Sequence, residues 1–421
     1  MTDHDALLAA ICNEPDEDTP RLALADWLDE NDEPERAAFV RAQVELARSP
    51  LWEPFAVLCR WRRRDWLTGT PYRDTLPKVD GVHVEWHDEA FRRGLGWRLN
   101  VKSLVAWEQS ERAILGRAPV GAVHLWSAAT LDEWRCFAAS PLLAHLLEVH
   151  FVASPIEPLR ALRESPVSPP ITDVFFERAS GAGIAFVVED LLASPVGRTI
   201  RGLHFHMGYD EAIDEMVRTL AQSTALQRLS LRTMGFTHTQ SDLLLSEMDG
   251  SSLIELDLGG NPLEDDGVRS VVRSLPVSLQ ALGLSDTRVL EQGLLAFVES
   301  PSNLKRLDLS RNPLPRQGAQ TLSRSPHLAS LRSLSLRKCR IDDWKLGLLT
   351  HGPYWPNLVE LDLRENPIPD AGVRHLLDAP VPADLTAIVL TGDTLSADSR
   401  KELQAKYGER VVFVASETVG L

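Results

Sequence analysis

The frame L-x-x-L-x-L-x-x-(N/C) returns at near-constant spacing through most of this 421-residue chain and constrains its fold more than any other feature. Its clearest copies are Leu253-Leu256-Leu258-Asn261, Leu304-Leu307-Leu309-Asn312 and Leu358-Leu361-Leu363-Asn366. Leu279-Leu282-Leu284-Thr287, Leu331-Leu334-Leu336-Cys339 and Leu385-Ile388-Leu390 fall between and after them. Upstream, Leu226-Leu229-Leu231, Ile200-Leu203-Phe205, Ile171-Val174-Phe176, Leu146-Val149-Phe151 and Val120-Val123-Leu125 fit the same template with larger apolar residues. Successive anchors lie 25 to 29 residues apart.

Strand side chains alternate, so the fourth and sixth residues of each frame face the core and the fifth and seventh face away from it. A helical segment follows, as in Asp265 to Leu275, where Val268, Val271, Val272 and Leu275 recur at helical spacing. Pro141, Pro166, Pro195, Pro276, Pro301, Pro326 and Pro380 end these segments, since Pro cannot continue a helix. Asn261, Asn312 and Asn366, with Cys339 in the same slot, are expected to turn inward and satisfy buried backbone groups. At the far end, Ser396 opens a polar helix through Leu403 to Tyr407, Gly408 stops it, and Val411 to Val414 adds a closing strand.

Stacked side by side, such units give a parallel sheet on a concave side and helices on a convex side. The frame resembles the leucine-rich repeat family, of the longer ribonuclease-inhibitor-like kind, over roughly residues 96 to 413. That resemblance implies an α/β fold, an open right-handed leucine-rich-repeat solenoid or horseshoe. Residues 1 to 48 do not follow the frame and read as helices: Leu7, Leu8 and Ile11 share one face, Thr19-Pro20 reads as an N-cap and first-turn Pro, and Asp32-Glu-Pro34 opens a third segment. Pro15 to Asn31, followed by Pro34 to Gln43, resembles the repeat-companion domain that precedes leucine-rich repeats in many planctomycete-type bacterial proteins, a family with no established activity to carry over. Phe91-Arg-Arg-Gly-Leu95 resembles that family's junction. The expected organisation is a helical domain with a connecting helix over 1–75, a junction and irregular first repeat over 76–119, repeats over 120–394 and a cap over 395–421.

Charge restricts function. With 44 Lys and Arg against 60 Asp and Glu, the net charge of −16 argues against a general binder of nucleic acid or anionic membrane. No continuous apolar stretch approaches the ~18 residues of a span, and the start carries acids where a secretory peptide needs bases, so a cytoplasmic protein is expected. Cys12, Cys59, Cys136 and Cys339 are too scattered for a CxxC pair and are expected as free, mostly buried thiols. Arg60-Trp-Arg-Arg-Arg-Asp-Trp66 could be a basic-aromatic patch for RNA. The blander reading is a helix whose Trp side chains pack and whose Arg are solvated or pair with the acidic first fifty residues.

No GxxxxGK, HExxH, GxSxG or EF-hand motif is present, and Gly181-Ala-Gly183 lacks the rest of a dinucleotide fingerprint. The expectation is therefore non-enzymatic, with no catalytic residues and no cofactor. The fifth and seventh positions supply the candidate partner-binding residues: His124, Trp126, His150, Phe175, Glu177, His204 and His206 in an aromatic half, then Arg232, Asp257, Asp308, Arg337, Asp362 and Arg364 in a charged half. Adjacent-strand His124 and His150 raise a metal site, but Phe175 separates them from His204 and His206, leaving each pair short of the ligands zinc wants. The expectation is a monomeric scaffold that binds a protein of unknown identity on the concave face. The alternatives are a regulator of another enzyme, GTPase-activator-like or inhibitor-like, and RNA binding through Arg60 to Arg64.

Overall fold

A computed structural model describes residues 2–416 apart from 80–83, 106, 115, 127–128, 153–155, 178–183, 207, 209–212, 224 and 248–251; the Gly181-Ala-Gly183 stretch lies outside the described residues. By packing, the chain divides into Met1–Pro50 with Arg62–Ala212 and Leu51–Trp61 with Ile213–Leu421.

The first unit opens with helices α1 (Asp3–Asn13), α2 (Thr19–Glu30) and α3 (Pro34–Arg48). Ile11, Leu24, Ala25, Leu28, Ala37 and Val40 form their shared core, with Leu95 reaching in from the junction. Helix α2 begins one residue earlier than the sequence suggests: Thr19 is already helical, Asp18 holds the capping position, and Pro20 sits in the first turn. Next come strands β1 (Val84–Trp86), β2 (Phe91–Arg92), β3 (Leu95–Gly96) and β4 (Arg98–Val101). β2 and β3 make the hairpin of the Phe91-Arg-Arg-Gly-Leu95 motif. Gly94 turns it at φ +84°, and any Cβ there would lie 2.7 Å from a Val40 methyl, so the turn against α3 requires glycine.

β1 pairs antiparallel with β4. From β4 onward the pairing is parallel through β5 (Ala122–Leu125), β6 (Glu148–Phe151), β7 (Asp173–Glu177) and β8 (Gly202–His206). Leu99, Val123, Val149, Val174 and Leu203 stand in one row across these strands, all buried. The sixth frame position carries Phe151, Phe176 and Phe205, whose rings stack at centroid distances of 5.7 and 4.7 Å.

The second unit holds helix α4 (Pro54–Trp61) and parallel strands β9 (Arg228–Arg232), β10 (Glu255–Asp257), β11 (Ala281–Gly283), β12 (Arg306–Asp308), β13 (Ser333–Ser335), β14 (Glu360–Asp362), β15 (Ala387–Thr391) and β16 (Val411–Val414). Leu229, Leu256, Leu282, Leu307, Leu334, Leu361 and Ile388 share one row and are buried beneath the helix layer. The helix read from Val268, Val271 and Val272 spans Glu264–Arg273 and buries those three residues. The closing helix spans Ala397–Tyr407, with Ser396 accepting from the Ser399 N–H and Gly408 ending it at φ +61°.

The frame asparagines stitch each repeat of this unit to the one before. Asn312 Oδ1 accepts from the N–H groups of Thr287 and Val289 at 3.0 and 3.3 Å, and its Nδ2 donates to the carbonyls of Leu284 and Leu309 at 2.7 and 3.0 Å. Asn261 does the same with Met234, Phe236, Leu231 and Leu258, and Asn366 with Cys339, Ile341, Leu336 and Leu363. Where the slot holds Thr287 or Cys339, the hydroxyl donates to Leu284 O at 2.9 Å and the thiol to Leu309 O at 3.1 Å. Cys339 and Cys59 are buried free thiols and Cys12 is partly buried, but Cys136 is exposed, because it lies on the solvent side of the Leu131–Ala138 helix.

Asn312→Ala strands four buried backbone groups, so it is expected to lower unfolding stability by about 2–4 kcal/mol, whereas Asn303→Ala on the exposed surface should change it by less than ~0.5 kcal/mol. Denaturant titration of both variants reads the difference, and equal midpoints would contradict the role given to the buried amide.

Candidate functional site

In the first unit the fifth-position residues build one continuous stack on the face of the sheet opposite the helices. Register places His124, His150, Phe175 and His204 side by side on β5 to β8. Their rings lie face to face at centroid distances of 3.9, 4.0 and 4.1 Å, with interplanar angles of 13°, 3° and 7°. His87, just beyond β1, extends the stack with a ring 4.5 Å from that of His124. Strand spacing of ~4.8 Å brings flat rings close enough to stack when they tilt slightly. Ring nitrogens in such a stack lie in parallel planes and do not converge on a point, as a tetrahedral metal would require. Among the described residues no group of three or more His, Cys, Asp or Glu has the arrangement to hold a metal ion.

His124 and His150 are each 8% exposed. Burial, reinforced by His150, His87 and Arg98, pushes the His124 imidazole down to about 2. Burial also lowers His150, opposed by Glu148, whose Oε2 is 4.0 Å from His150 Nε2. Glu148 is a third-position residue on the same face. Burial would raise its carboxyl, but His150 and the guanidinium groups of Arg98 and Arg92, at 2.9 and 2.8 Å, outweigh this and bring it to about 2. At the other end, His204 Nε2 is 3.3 Å from Asp173 Oδ1, another third-position carboxylate. Among the seventh positions, Trp126 is 50% exposed, His206 is exposed and Glu177 is half-buried beside it in register. The result is an aromatic ridge in which burial disfavours the charged forms of His124 and His150, rimmed by ion pairs, with Trp126 exposed at one side.

The second unit arranges its face differently. Helix α4 lies on the β14 to β16 end of the sheet: Val57 is fully buried against Val359, Ala387 and Val389, with Trp61, Val412 and Val414 packed around them. Arg60 Nη1 reaches both oxygens of Glu360 at 2.8 Å, and Trp61 Nε1 donates to Glu360 Oε1 at 2.5 Å. Burial would raise the Glu360 carboxyl, but Arg60, Ser333 and Trp61 hold it below the usual carboxylate range. Arg60 is thus held within its own unit, by a repeat residue and by the Leu51 carbonyl at 2.9 Å. Arg63 pairs with Asp65 at 2.9 Å and stacks on Trp66.

Of the charged candidates, Asp362 is buried and bound by Arg364 at 2.7 Å, and that guanidinium lies 4.7 Å from the Trp61 ring of α4. Arg232 pairs with Asp257 at 2.8 Å and Arg337 with Glu365. Asp308 holds its own strand end, accepting from the Ser310 N–H at 2.9 Å. Beside α4 the strands leave a hollow of about 590 Å³, floored by small residues such as Ser285, Ser310 and Ser335. Sequence reasoning omitted the third frame positions, Glu148, Asp173, Arg306 and Glu360. The signal was available, since period two puts positions three, five and seven on one face.

The neutral histidines make a pH prediction. A histidine held neutral in the folded chain takes up its proton on unfolding once the pH drops below ~6.5, so stability is intact above that value and declines as the pH falls toward the folded value of about 2 for His124. The expected slope is about 1.4 kcal/mol per pH unit for each such histidine. His124→Phe should flatten the decline between pH 6 and 4 followed by circular dichroism; an unchanged profile would contradict the buried neutral stack.

Comparison with known proteins agrees with this geometry. A family model described as "Leucine Rich repeat" matches residues 251–272 and 356–377. The chain is 35% identical over 167 residues to "NACHT, LRR and PYD domains-containing protein 5" of Homo sapiens, a match covering 36% of this chain and 14% of that protein. It is 29% identical over 167 residues to the "Ribonuclease inhibitor" of Mus musculus, covering 37% of this chain and 34% of the other. This chain thus spans about a third or less of the length of these two curated relatives. A solved structure of the yeast Rad7 and Elc1 complex aligns with a TM-score of 0.43 at 16% identity, over 67% of this chain and 78% of that one. No helix among the described residues is long and apolar enough to cross a membrane. The matched segments fall within the strand, loop and helix units described above, so the chain carries leucine-rich repeats over those segments in an α/β solenoid fold.

Proposed function

We propose that this chain is a non-enzymatic protein-interaction scaffold that receives a partner polypeptide on the helix-free face of its strands, the concave face of the solenoid. One observation carries the reading: in the second unit that face already holds a polypeptide. Helix α4 is seated on it through an apolar contact at Val57, an indole hydrogen bond from Trp61 and an ion pair from Arg60 Nη1 to both oxygens of Glu360. A surface able to bury a helix in this way has the mixed apolar and charged character of a protein-binding face. The relatives support the same class, since one of them is named as an inhibitor of another protein.

In the first unit no described helix of this kind lies on the stack, and Trp126 is the natural anchor. Large aromatic side chains beside an apolar, well-packed surface are the residues that dominate binding energy at interfaces. His150, Phe175 and His204 form the ground on which a partner side chain would rest, with Glu177 and His206 at its edge. Arg60 is held by Glu360 and Arg63 by Asp65, so these two arginines of the run serve contacts within the chain.

The test is a comparative capture using the full chain, Trp126→Ala and, as a control on the helix layer, Trp344→Ala, which is 40% exposed. Trp126→Ala is expected to weaken capture of a specific partner by at least ~10-fold, the effect of losing an aromatic hot spot, with Trp344→Ala unchanged. Equal capture by all three proteins would contradict the proposal.

A further inference from the structure

The second unit pairs arginines at its strand face with carboxylates: Arg232 with Asp257, Arg337 with Glu365 and Arg364 with Asp362, and from α4 Arg60 with Glu360. Four cations in one place break this habit. Arg306 is the third-position residue of β12, Arg311 follows that strand, and Lys338 and Arg340 follow β13. Among the described residues, none of these four side chains has an ion-pair or hydrogen-bond partner. Arg306 is flanked in register by Ala281 and Ser333, too small to cover it. It opens into the hollow of about 590 Å³ beside α4. Arg311 lines both that hollow and an adjoining one of about 310 Å³, whose walls include Lys338 and Arg340. The four cations therefore border one continuous depression, in a chain whose net charge is −16.

Of the carboxylates lining the two hollows, Glu360, Asp362 and Glu365 are paired with Arg60, Arg364 and Arg337, while Asp286 and Asp308 stand among the four cations. They would repel the evenly spaced phosphates of a nucleic acid, and the aromatic ring lining the hollow, Trp61, already has Arg364 against it. A polypeptide suits this mixed pattern better, because its carboxylates can be spaced to meet the cations and its amide donors can meet the two aspartates. Arg311 and Lys338 fall at the same frame position after the neighbouring strands β12 and β13, whose ~4.8 Å spacing is close to that of carboxylates one turn apart on a helix and within side-chain reach of those two residues apart on an extended peptide.

We propose that the loop edge and inner face of β11 to β13 form a docking site for an acidic polypeptide segment of a partner, held by Arg306, Arg311, Lys338 and Arg340. The proposal rests on the reading of the strand face as a polypeptide-receiving surface and names the chemistry of what this part of it takes.

The experiment measures fluorescence anisotropy of a labelled decapeptide with Glu at alternate positions, using the full chain at low and at physiological salt. The Glu peptide should bind, weaken as salt rises, and lose at least ~10-fold in affinity with the double variant Arg311→Gln, Arg340→Gln. Asp286→Asn, which removes one of the interleaved carboxylates and leaves the cations in place, should tighten binding about two- to fivefold. The same peptide with Gln for Glu should not bind. Failure of the Glu peptide to bind, unchanged affinity in the folded double variant, or equal binding of a single-stranded DNA of matching charge would each overturn the assignment. Loss of this site while Trp126-dependent capture persists removes only this inference; loss of both removes the scaffold reading as well.

Discussion

The buried asparagine amide is the interaction on which the second unit depends. Each of Asn261, Asn312 and Asn366 uses its oxygen on two N–H groups of the preceding repeat and its nitrogen on one carbonyl of that repeat and one of its own. The turn leaving each strand is thereby closed and tied to its neighbour at once. Without that tie the backbone groups would be buried unpaired. With it, the strands hold a fixed register, and every third, fifth and seventh side chain stands beside its counterpart one repeat away. The first unit lacks asparagine at the corresponding positions, where the sequence has Ala128, Ser154 and Ala179. It relies on rings instead: Phe151, Phe176 and Phe205 stack inside, and His124, His150, Phe175 and His204 stack outside.

Fixed register turns the strand face into a display surface, and the two units use it in different ways. A stack of rings in which His124 and His150 are held neutral presents an aromatic ridge with carboxylates at its rim, at Glu148 and Asp173. In the second unit α4 covers one end, where Ala387, Val389, Val412 and Val414 make the face apolar, and leaves the polar end open. Glu360 marks the boundary, buried beneath Arg60 and Trp61 on one side and bonded to Ser333 on the other. Beyond it the floor falls to serine and glycine, which is what makes the hollow.

Much of this was legible in the sequence, and what was not has a physical reason. The frame located each strand and its inward residues, because leucines at positions four and six are a period-two signal repeated many times. The Asn slot was read correctly because a polar residue recurring in an apolar stack needs a buried backbone to serve. The closing helix was legible from Ser396 and Gly408, whose capping geometry is local. Two things lay beyond local reading. Arg60 and Glu360 are 300 residues apart, and nothing near either one indicates that the Arg-Trp run belongs on the last repeats. His87 falls outside the frame altogether, so its place at the head of the ring stack depends on the β1 to β4 pairing. The candidate list drawn from positions five and seven also gave Asp362 and Arg364 to a partner; in the structure Arg364 binds Asp362 and lies 4.7 Å from the Trp61 ring of α4.

The central claim, that the helix-free strand face is where another polypeptide is received, is tested most directly by site-specific photo-crosslinking. A photoreactive phenylalanine is placed at Trp126 on that face and, in a separate protein, at Gln317 on the exposed side of the Arg316–Arg324 helix. The account predicts a discrete crosslinked partner from position 126 and none from position 317. A partner crosslinked from 317 and not from 126 would place recognition on the helices and contradict it.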